Sequence, residues 1–492
     1  MVSSRREKIS AVDTAWLRMD RPNNLMMISG VLILRERVPF ARLLTTIEQR
    51  FLRFKRFRQR PVQAAGLSYW ETDPAFQLEA HVVRIALPGK AGTKDLQTLM
   101  SDLASTPLDP ARPLWQFHLV DNYDGGSALI ARIHHCYADG IALIQVMLSM
   151  TDAAPRGPPA MPPPPMRSER PDDEDMLTQV MRPVAGAMKV AKKVGVALIE
   201  KGVALWQDPA KAVALAGQGN ALTTEIAKLV LMGQDSPTRF KGKPGVDKRV
   251  AWAEPISLAE VKAIGKALRA SVNDVLLSCV AGALRAYCVQ KGDPVEGVTI
   301  RALVPVNMRP LEKAYRLGNQ FGLVFLDLPI GIENPIERLY AVRSNMDALK
   351  GSFQPIISLG LLAAMGAGPK MLQDQLLIAL ARNASAVMTN VPGPQQPLYI
   401  AGAKIDSLMF WVPQSGDMGM GVSILSYDGQ VQFGLITDRG LCPDPEQAIA
   451  RFVPEFDKLV LTTLMAPGPW DGDLDPAVAL RAVTLLSATG HS

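Results

Sequence analysis

The sequence predicts two α/β domains joined by an extended linker, and three observations carry that reading. Strand-like and helix-like patterns alternate on both sides of a single break in composition, which argues for two sheets rather than one. The break is residues 155 to 173, Pro-Arg-Gly-Pro-Pro-Ala-Met-Pro-Pro-Pro-Pro-Met-Arg-Ser-Glu-Arg-Pro-Asp-Asp, too rich in proline for helix or sheet. The 492 residues are 48% hydrophobic and 20% charged, a balance that buries substantial cores and excludes overall disorder. The expected units are a first domain over 1–154, a linker and helical connector over 155–235, a second domain over 236–470 and a tail over 471–492.

Met1 to Lys8 is basic but leads into no apolar run before Asp13 and Arg18, so it does not read as a signal peptide. Arg50, Arg53, Lys55, Arg56, Arg58 and Arg60 follow between a helical and an extended pattern. They form either a phosphate-facing patch or an ordinary solvated face over inward-pointing Phe51, Phe54 and Phe57. No zinc-finger spacing, basic zipper or RNA-binding aromatic motif accompanies them, so nucleic acid is not an expected partner. Ala128 to Ile133 reads as a strand and Gly140 to Leu148 as an apolar helix, and His134-His135-Cys136-Tyr137-Ala138-Asp139-Gly140 occupies the turn between them.

Beyond the linker, Met176 to Gly233 reads as helices broken near Asp208-Pro209 and again at Gly217 to Asn220. Lys189, Lys192 and Lys193 sit there beside an apolar face, which suits either an anionic lipid surface or packing between domains. The second domain opens near Arg249 to Trp252, with a helix at Leu258 to Leu268 and another from Val275 to Tyr287 that begins at Asn273-Asp274. Its strands are expected at Val298–Val306, Phe321–Leu328, Ala384–Thr389, Gly421–Tyr427 and Val431–Thr437, with a hairpin at Tyr427-Asp428-Gly429-Gln430 and a closing helix at Ala448–Leu464. Cys136, Cys279, Cys288 and Cys442 show no CxxC spacing, which fits a reducing cytoplasm. The longest apolar stretch, Ile356 to Gly368, falls short of the roughly 20 residues of a membrane span.

The turn carries the chemistry. Neutral imidazole is the usual base near pH 7, so His135 is a candidate to deprotonate a hydroxyl. Asp139 either supports that base, directly or by holding the turn, or simply caps the following helix, with Gly140 relieving the turn. Adjacent residues on a strand point to opposite faces, so His134 and His135 do not read as ligands of one metal ion. There is no GxSxG elbow, HExxH site or Walker loop, which disfavours a covalent serine enzyme.

Taken in order, several segments resemble one family. They are Arg112-Pro113-Leu114-Trp115, the His134 to Gly140 turn, Ser271 to Leu277, Val304 to Arg309, Gly318-Asn319-Gln320-Phe321-Gly322, Thr389 to Pro394 and Ser426 to Gly429. Over residues 10 to 465 the chain resembles the bacterial wax ester synthase/acyl-CoA:diacylglycerol acyltransferases. These sit within the superfamily of HHxxxDG acyltransferases that includes chloramphenicol acetyltransferases and condensation domains.

The resemblance implies two chloramphenicol acetyltransferase-like domains with mixed sheets flanked by helices and an active-site channel between them. It implies His135 as general base for direct attack of a fatty alcohol or diacylglycerol on acyl-CoA, a substrate, with no cofactor and no metal. Asn273 becomes an oxyanion or substrate-placing amide, or else a helix N-cap, with Asp274 beside it. Asp139 becomes structural, with Arg309 a candidate partner, and His134 a support of the turn. It also implies a cytoplasmic protein, peripheral on the inner membrane face or on lipid inclusions; oligomeric state is left open. Two departures stand out: Asp20 replaces the usual Glu of the opening segment, and Asn24 to Gly30 lacks the family's histidine. A carrier-protein thioester, a smaller alcohol or a non-catalytic lipid-surface role are the alternatives.

Overall fold

The computed structural model describes residues 6–155, 228–229, 231–309, 317–371, 373–374 and 381–465. The proline-rich linker, the helices read over 176–233 with Lys189, Lys192 and Lys193, and the tail over 471–492 lie outside the described residues, apart from Pro155 and a few positions after 227.

Two seven-stranded mixed sheets organise the chain. The first runs Val82–Ile85, Trp115–Val120, Ser127–His134, Met27–Leu34, Ala403–Trp411, Tyr399–Ile400 and Thr151–Asp152. Its first pair is parallel and the rest antiparallel. The second runs Ile256–Ser257, Gln430–Asp438, Met420–Tyr427, Ala386–Pro392, Ile300–Asn307 and Phe321–Leu328, with Lys248–Trp252 also paired to Gln430–Asp438. Ala386–Pro392 pairs in parallel with both of its neighbours.

The elements have local causes. Every residue of Ser127–His134 is buried, because helix Thr93–Ser105 covers one side of the first sheet and the interior between the halves covers the other; both faces are therefore apolar rather than alternating. Helix Gly140–Leu148 starts where Asp139 Oδ1 accepts from the Ala142 amide. The helix read from Val275 to Tyr287 is longer, Val272–Gln290, and is capped by Ser271 in a box closed by Asp274. It is long and apolar enough to meet the test for a membrane span, but 78% of that window is buried against the second sheet and its helices. Asp428 and Gly429 both take positive φ, 47° and 75°, the two-residue turn that matches strand twist. The closing helix is two pieces, Pro445–Ile449 and Phe452–Met465.

Two strands cross the division drawn between residues 1–154 and 236–470, Tyr399–Ile400, which pairs with Thr151–Asp152, and Ala403–Trp411. Ala403–Trp411 leaves the second half and pairs with Met27–Leu34 in the first sheet, its register broken by a bulge between Ile405 and Ser407. Helices Pro335–Leu349 and Gln354–Ala367 were also not read as elements from sequence. The second packs on helix Ala11–Met19, so close that a Cβ on Gly366 would overlap the Ala11 carbonyl.

Candidate active site

The turn after Ser127–His134 is pinned from several directions. The His134 amide donates to Leu114 O at 3.0 Å and the His135 amide to Met26 O at 2.8 Å. Tyr137 Oη donates to Gln59 O at 2.6 Å, accepts from the Leu114 amide and stacks its ring on Phe57. The two imidazoles then diverge. His134 Nδ1 accepts from the Cys136 amide at 3.1 Å, which puts its proton on Nε2, 3.8 Å from Asp20 Oδ2. Asp20 Oδ1 meanwhile accepts from the Met26 amide, so Asp20 braces the Asn24 to Gly30 segment that leads into the strand. Burial, with His135 adjacent, pushes His134 down to about 3, and burial raises Asp20.

The His135 ring stacks on Trp16 with centroids 4.0 Å apart and planes 14° off parallel, and Phe321 closes the group at 5.6 Å. Burial lowers its pKa to about 4, so the ring is neutral at pH 7. Its Nδ1 is buried without a hydrogen-bond partner among the described residues, which leaves Nε2 as the nitrogen for chemistry.

Asp139 does not hydrogen-bond to His135. Its Oδ1 caps helix Gly140–Leu148, while Oδ2 accepts from Arg309 Nη2 at 2.9 Å and from the Gln320 amide at 3.0 Å. Arg309 also donates to Gly318 O at 2.6 Å. Capping and support are thus one arrangement: Asp139 ties the turn to the second half of the chain through a buried ion pair. Burial raises its pKa while the Arg309 guanidinium pulls the other way.

Two residues without a role in the sequence reading complete the frame. Asn319 Nδ2 donates both to His135 O at 2.8 Å and to Asp13 Oδ1 at 2.7 Å, and the Asn319 amide donates to the same Asp13 oxygen. Burial raises Asp13. The available signal was indirect: Asn319 stands in the Gly318 to Gly322 segment and Asp13 begins the opening segment that ends at Asp20.

His135 lies on the wall of an open pocket between the two sheets, about 820 Å³ when its solvent-open space is counted. Leu303, Phe321, Leu323, Val387 and Phe410 make it apolar, and Asn307, Thr389, Asn390 and Ser415 supply its few polar groups. Gly140 and Ile141 also face it. Gly140 does not relieve the turn, because its φ is not positive; a Cβ there would meet nothing within 4 Å and would occupy pocket space instead. Asn273 does not line this pocket. Its Oδ1 accepts from Asn390 Nδ2 at 2.6 Å, so it stands one residue behind the wall, and the helix N-cap is Ser271 rather than Asn273. Asp274 closes the capping box and has no contact with His135.

Comparison with known proteins gives a consistent picture. A family model described as the wax ester synthase/diacylglycerol acyltransferase catalytic domain matches residues 9–276, and one for the corresponding C-terminal domain matches residues 317–460. Two relatives from Mycobacterium tuberculosis carry the name probable diacylglycerol O-acyltransferase. One, tgs2, is 30% identical over 80% of this chain and 84% of its own length; the other, tgs1, is 29% identical over 81% and 84%. Among solved structures, the wax ester synthase/diacylglycerol acyltransferase of Marinobacter aquaeolei superposes with a TM-score of 0.67 at 22% identity, covering 93% of this chain and all of that one. A starter condensation domain of rhizomide synthetase has the same fold with a TM-score of 0.53 at 14% identity, over 96% of this chain and 98% of the domain.

Proposed function

Because the chain belongs to the wax ester synthase/diacylglycerol acyltransferase family and is an acyltransferase acting on acyl-CoA and an acceptor lipid, we propose that His135 is the base for direct transfer to a fatty alcohol or diacylglycerol. The acceptor O–H proton passes to His135 Nε2 as its oxygen bonds to the thioester carbonyl carbon. When the tetrahedral intermediate collapses, the C–S bond breaks and the leaving thiolate takes the proton from the imidazolium, so ester and free CoA are the products. These steps need no cofactor.

The observation that carries the reading is a neutral imidazole at the wall of a largely apolar pocket, held through its backbone by Met26 and Asn319. A base so placed contributes about 10² to 10⁴ in rate, and alignment of the two substrates adds to it. The first-turn N–H groups of Gly140 and Ile141, which a helix leaves without intrahelical partners, are the donors we assign to the oxyanion. Asn390, oriented by Asn273, is the side-chain amide we assign to substrate placement.

Lipid acceptors reside in membranes and inclusions, so we place the protein at the cytoplasmic membrane face or on inclusions. Arg53, Lys55 and Arg58 are exposed and support such a contact. Salt-sensitive vesicle binding that is unchanged after their removal, and after removal of Lys189, Lys192 and Lys193, would overturn that placement.

CoA release from palmitoyl-CoA with hexadecanol or diacylglycerol, compared between the parent chain and His135→Ala, tests the main proposal. Acceptor-dependent release lost in the variant is expected. Equal release by both proteins removes His135 as the base, and release by neither, with both folded, points to a carrier-protein thioester or to a non-catalytic role.

A further inference from the structure

The imidazolium that forms when His135 accepts a proton has no carboxylate behind it among the described residues. Asp13, on the same helix as Trp16, accepts from Asn319; Asp139 is held by Arg309 and Gln320; Asp20 faces His134; and Arg56 pairs with Glu7. His134 and Cys136 flank the ring and are themselves held neutral by burial. In a serine-protease type of triad a buried carboxylate stabilises the protonated histidine, and here none of the described acids takes that place.

We propose that Trp16 fills it, as a positioning residue whose indole face is the electrostatic partner of protonated His135. The two rings lie face to face, 4.0 Å apart and 14° from parallel, and both line the pocket. An indole face is the negative side of the ring quadrupole, so it attracts a cation and offers much less to a neutral imidazole. The contact therefore strengthens as the proton moves, and an interaction that is stronger in the transition state than in the ground state lowers the barrier.

Two further features fit this role. Trp16 is 7% exposed, yet its Nε1–H meets no acceptor among the described residues, so its place in the site is not explained by a hydrogen bond. Phe321, tilted 32° to Trp16 at 5.9 Å, packs against the indole from the second half of the chain. Burial carries His135 down to about 4 even though its own backbone and the Asn319 side chain pull the other way, so the charged form is the one that gains from a further partner.

The inference rests on His135 being the base, and the experiment separates the two. In the full-length protein, fluorinated tryptophans carrying one, two and three fluorines are placed at position 16 by site-specific incorporation, since fluorine drains the ring face with little change of shape. Trp16→Leu is made beside them, with His135→Ala as control, and the single-turnover rate of transfer from palmitoyl-CoA to hexadecanol or diacylglycerol is read with KM and the melting temperature.

We expect the logarithm of the rate to fall in step with fluorine number at constant KM and melting temperature. Full loss of the face should cost about two- to thirtyfold, the factor to which about 0.5–2 kcal/mol of cation–π attraction converts. A rate independent of fluorination, with His135→Ala inactive, overturns the role of Trp16 and leaves the base in place. A His135→Ala protein as active as the parent overturns both. Should Trp16→Leu fail to fold, the fluorinated series decides alone.

Discussion

Changing Asp139 to asparagine keeps the size of the side chain and removes its charge, and the surrounding donors determine the cost. Oδ2 faces two donors, Arg309 Nη2 and the Gln320 amide, and Oδ1 faces a third, the Ala142 amide. Whichever way the new amide sits, its NH₂ points at a donor, so one contact becomes repulsive and the Arg309 guanidinium, 1% exposed, loses its carboxylate. Removing one partner of a buried pair costs roughly 3–5 kcal/mol, and a disrupted helix cap costs up to about 2 kcal/mol where the amide turns that way. Against a total stability of roughly 5–15 kcal/mol this is about a fifth or more.

Urea unfolding of Asp139→Asn, Arg309→Met and the double variant Asp139→Asn/Arg309→Met measures it. Both single changes should lower the midpoint strongly, and the double variant should recover much of the loss, because it leaves no buried charge behind. Turnover should fall in both singles with KM less affected, since the turn that carries His135 loosens. An Asp139→Asn protein within about 1 kcal/mol of the parent, or a double variant with strictly additive losses, would refute the idea that this pair ties the turn to the second half.

The same geometry sets three other outcomes. All four histidines among the described residues are buried with lowered pKa values, His118 and His135 to about 4 and His134 to about 3. Each is neutral in the fold and protonated more readily when unfolded, so stability is complete above about pH 6.5 and falls as pH drops toward 4, by about 1.4 kcal/mol per unit for each such group. Raised Asp13, Asp20 and Asp139 oppose this above their ordinary range; a melting temperature flat from pH 7 to pH 5 would contradict the burial argument. Gly140→Ala should leave stability unchanged or higher by up to about 1 kcal/mol and reduce turnover about tenfold or more, because its methyl meets only pocket space; full activity would take Gly140 out of the site. Gly366→Ala should push helix Ala11–Met19 outward, lowering melting temperature and activity together, as that helix carries both Asp13 and Trp16; retained tryptophan fluorescence and activity would show that the helices can give way.

What could be read in advance was mostly local. Ala128 to Ile133 and Gly140 to Leu148 declare themselves through apolar runs, and Asp139 stands at a cap, so the turn with His135 was legible. Phe321–Leu328 and the Asp428-Gly429 hairpin were equally plain. Contacts between distant segments were not, since nothing in either segment encodes its partner: Asn319 joins Asp13 to His135 from across the chain, and Trp16 lies over the base on a helix that Gly366 allows to pack closely against Gln354–Ala367. Asn273 stands one residue behind the pocket wall, and a pattern names an amide without saying which of two amides reaches the pocket. Ala403–Trp411 escaped for a related reason. Its bulge blurs the alternation that marks a strand, and its partner lies at the opposite end of the chain.

That borrowed strand also sets a timetable for biosynthesis. Met27–Leu34 leaves the ribosome early, but the edge it offers to Ala403–Trp411 is satisfied only after roughly 380 further residues have been made, on the order of 20–80 s at ordinary translation speeds. Through that interval the nascent first half carries an unpaired, apolar strand edge that other chains can join. Nascent-chain arrest before and after residue 411 would therefore separate a protease-sensitive, chaperone-bound product from one that has closed its sheet, and a gene cut between the halves would yield two pieces, each lacking a part that only the other supplies.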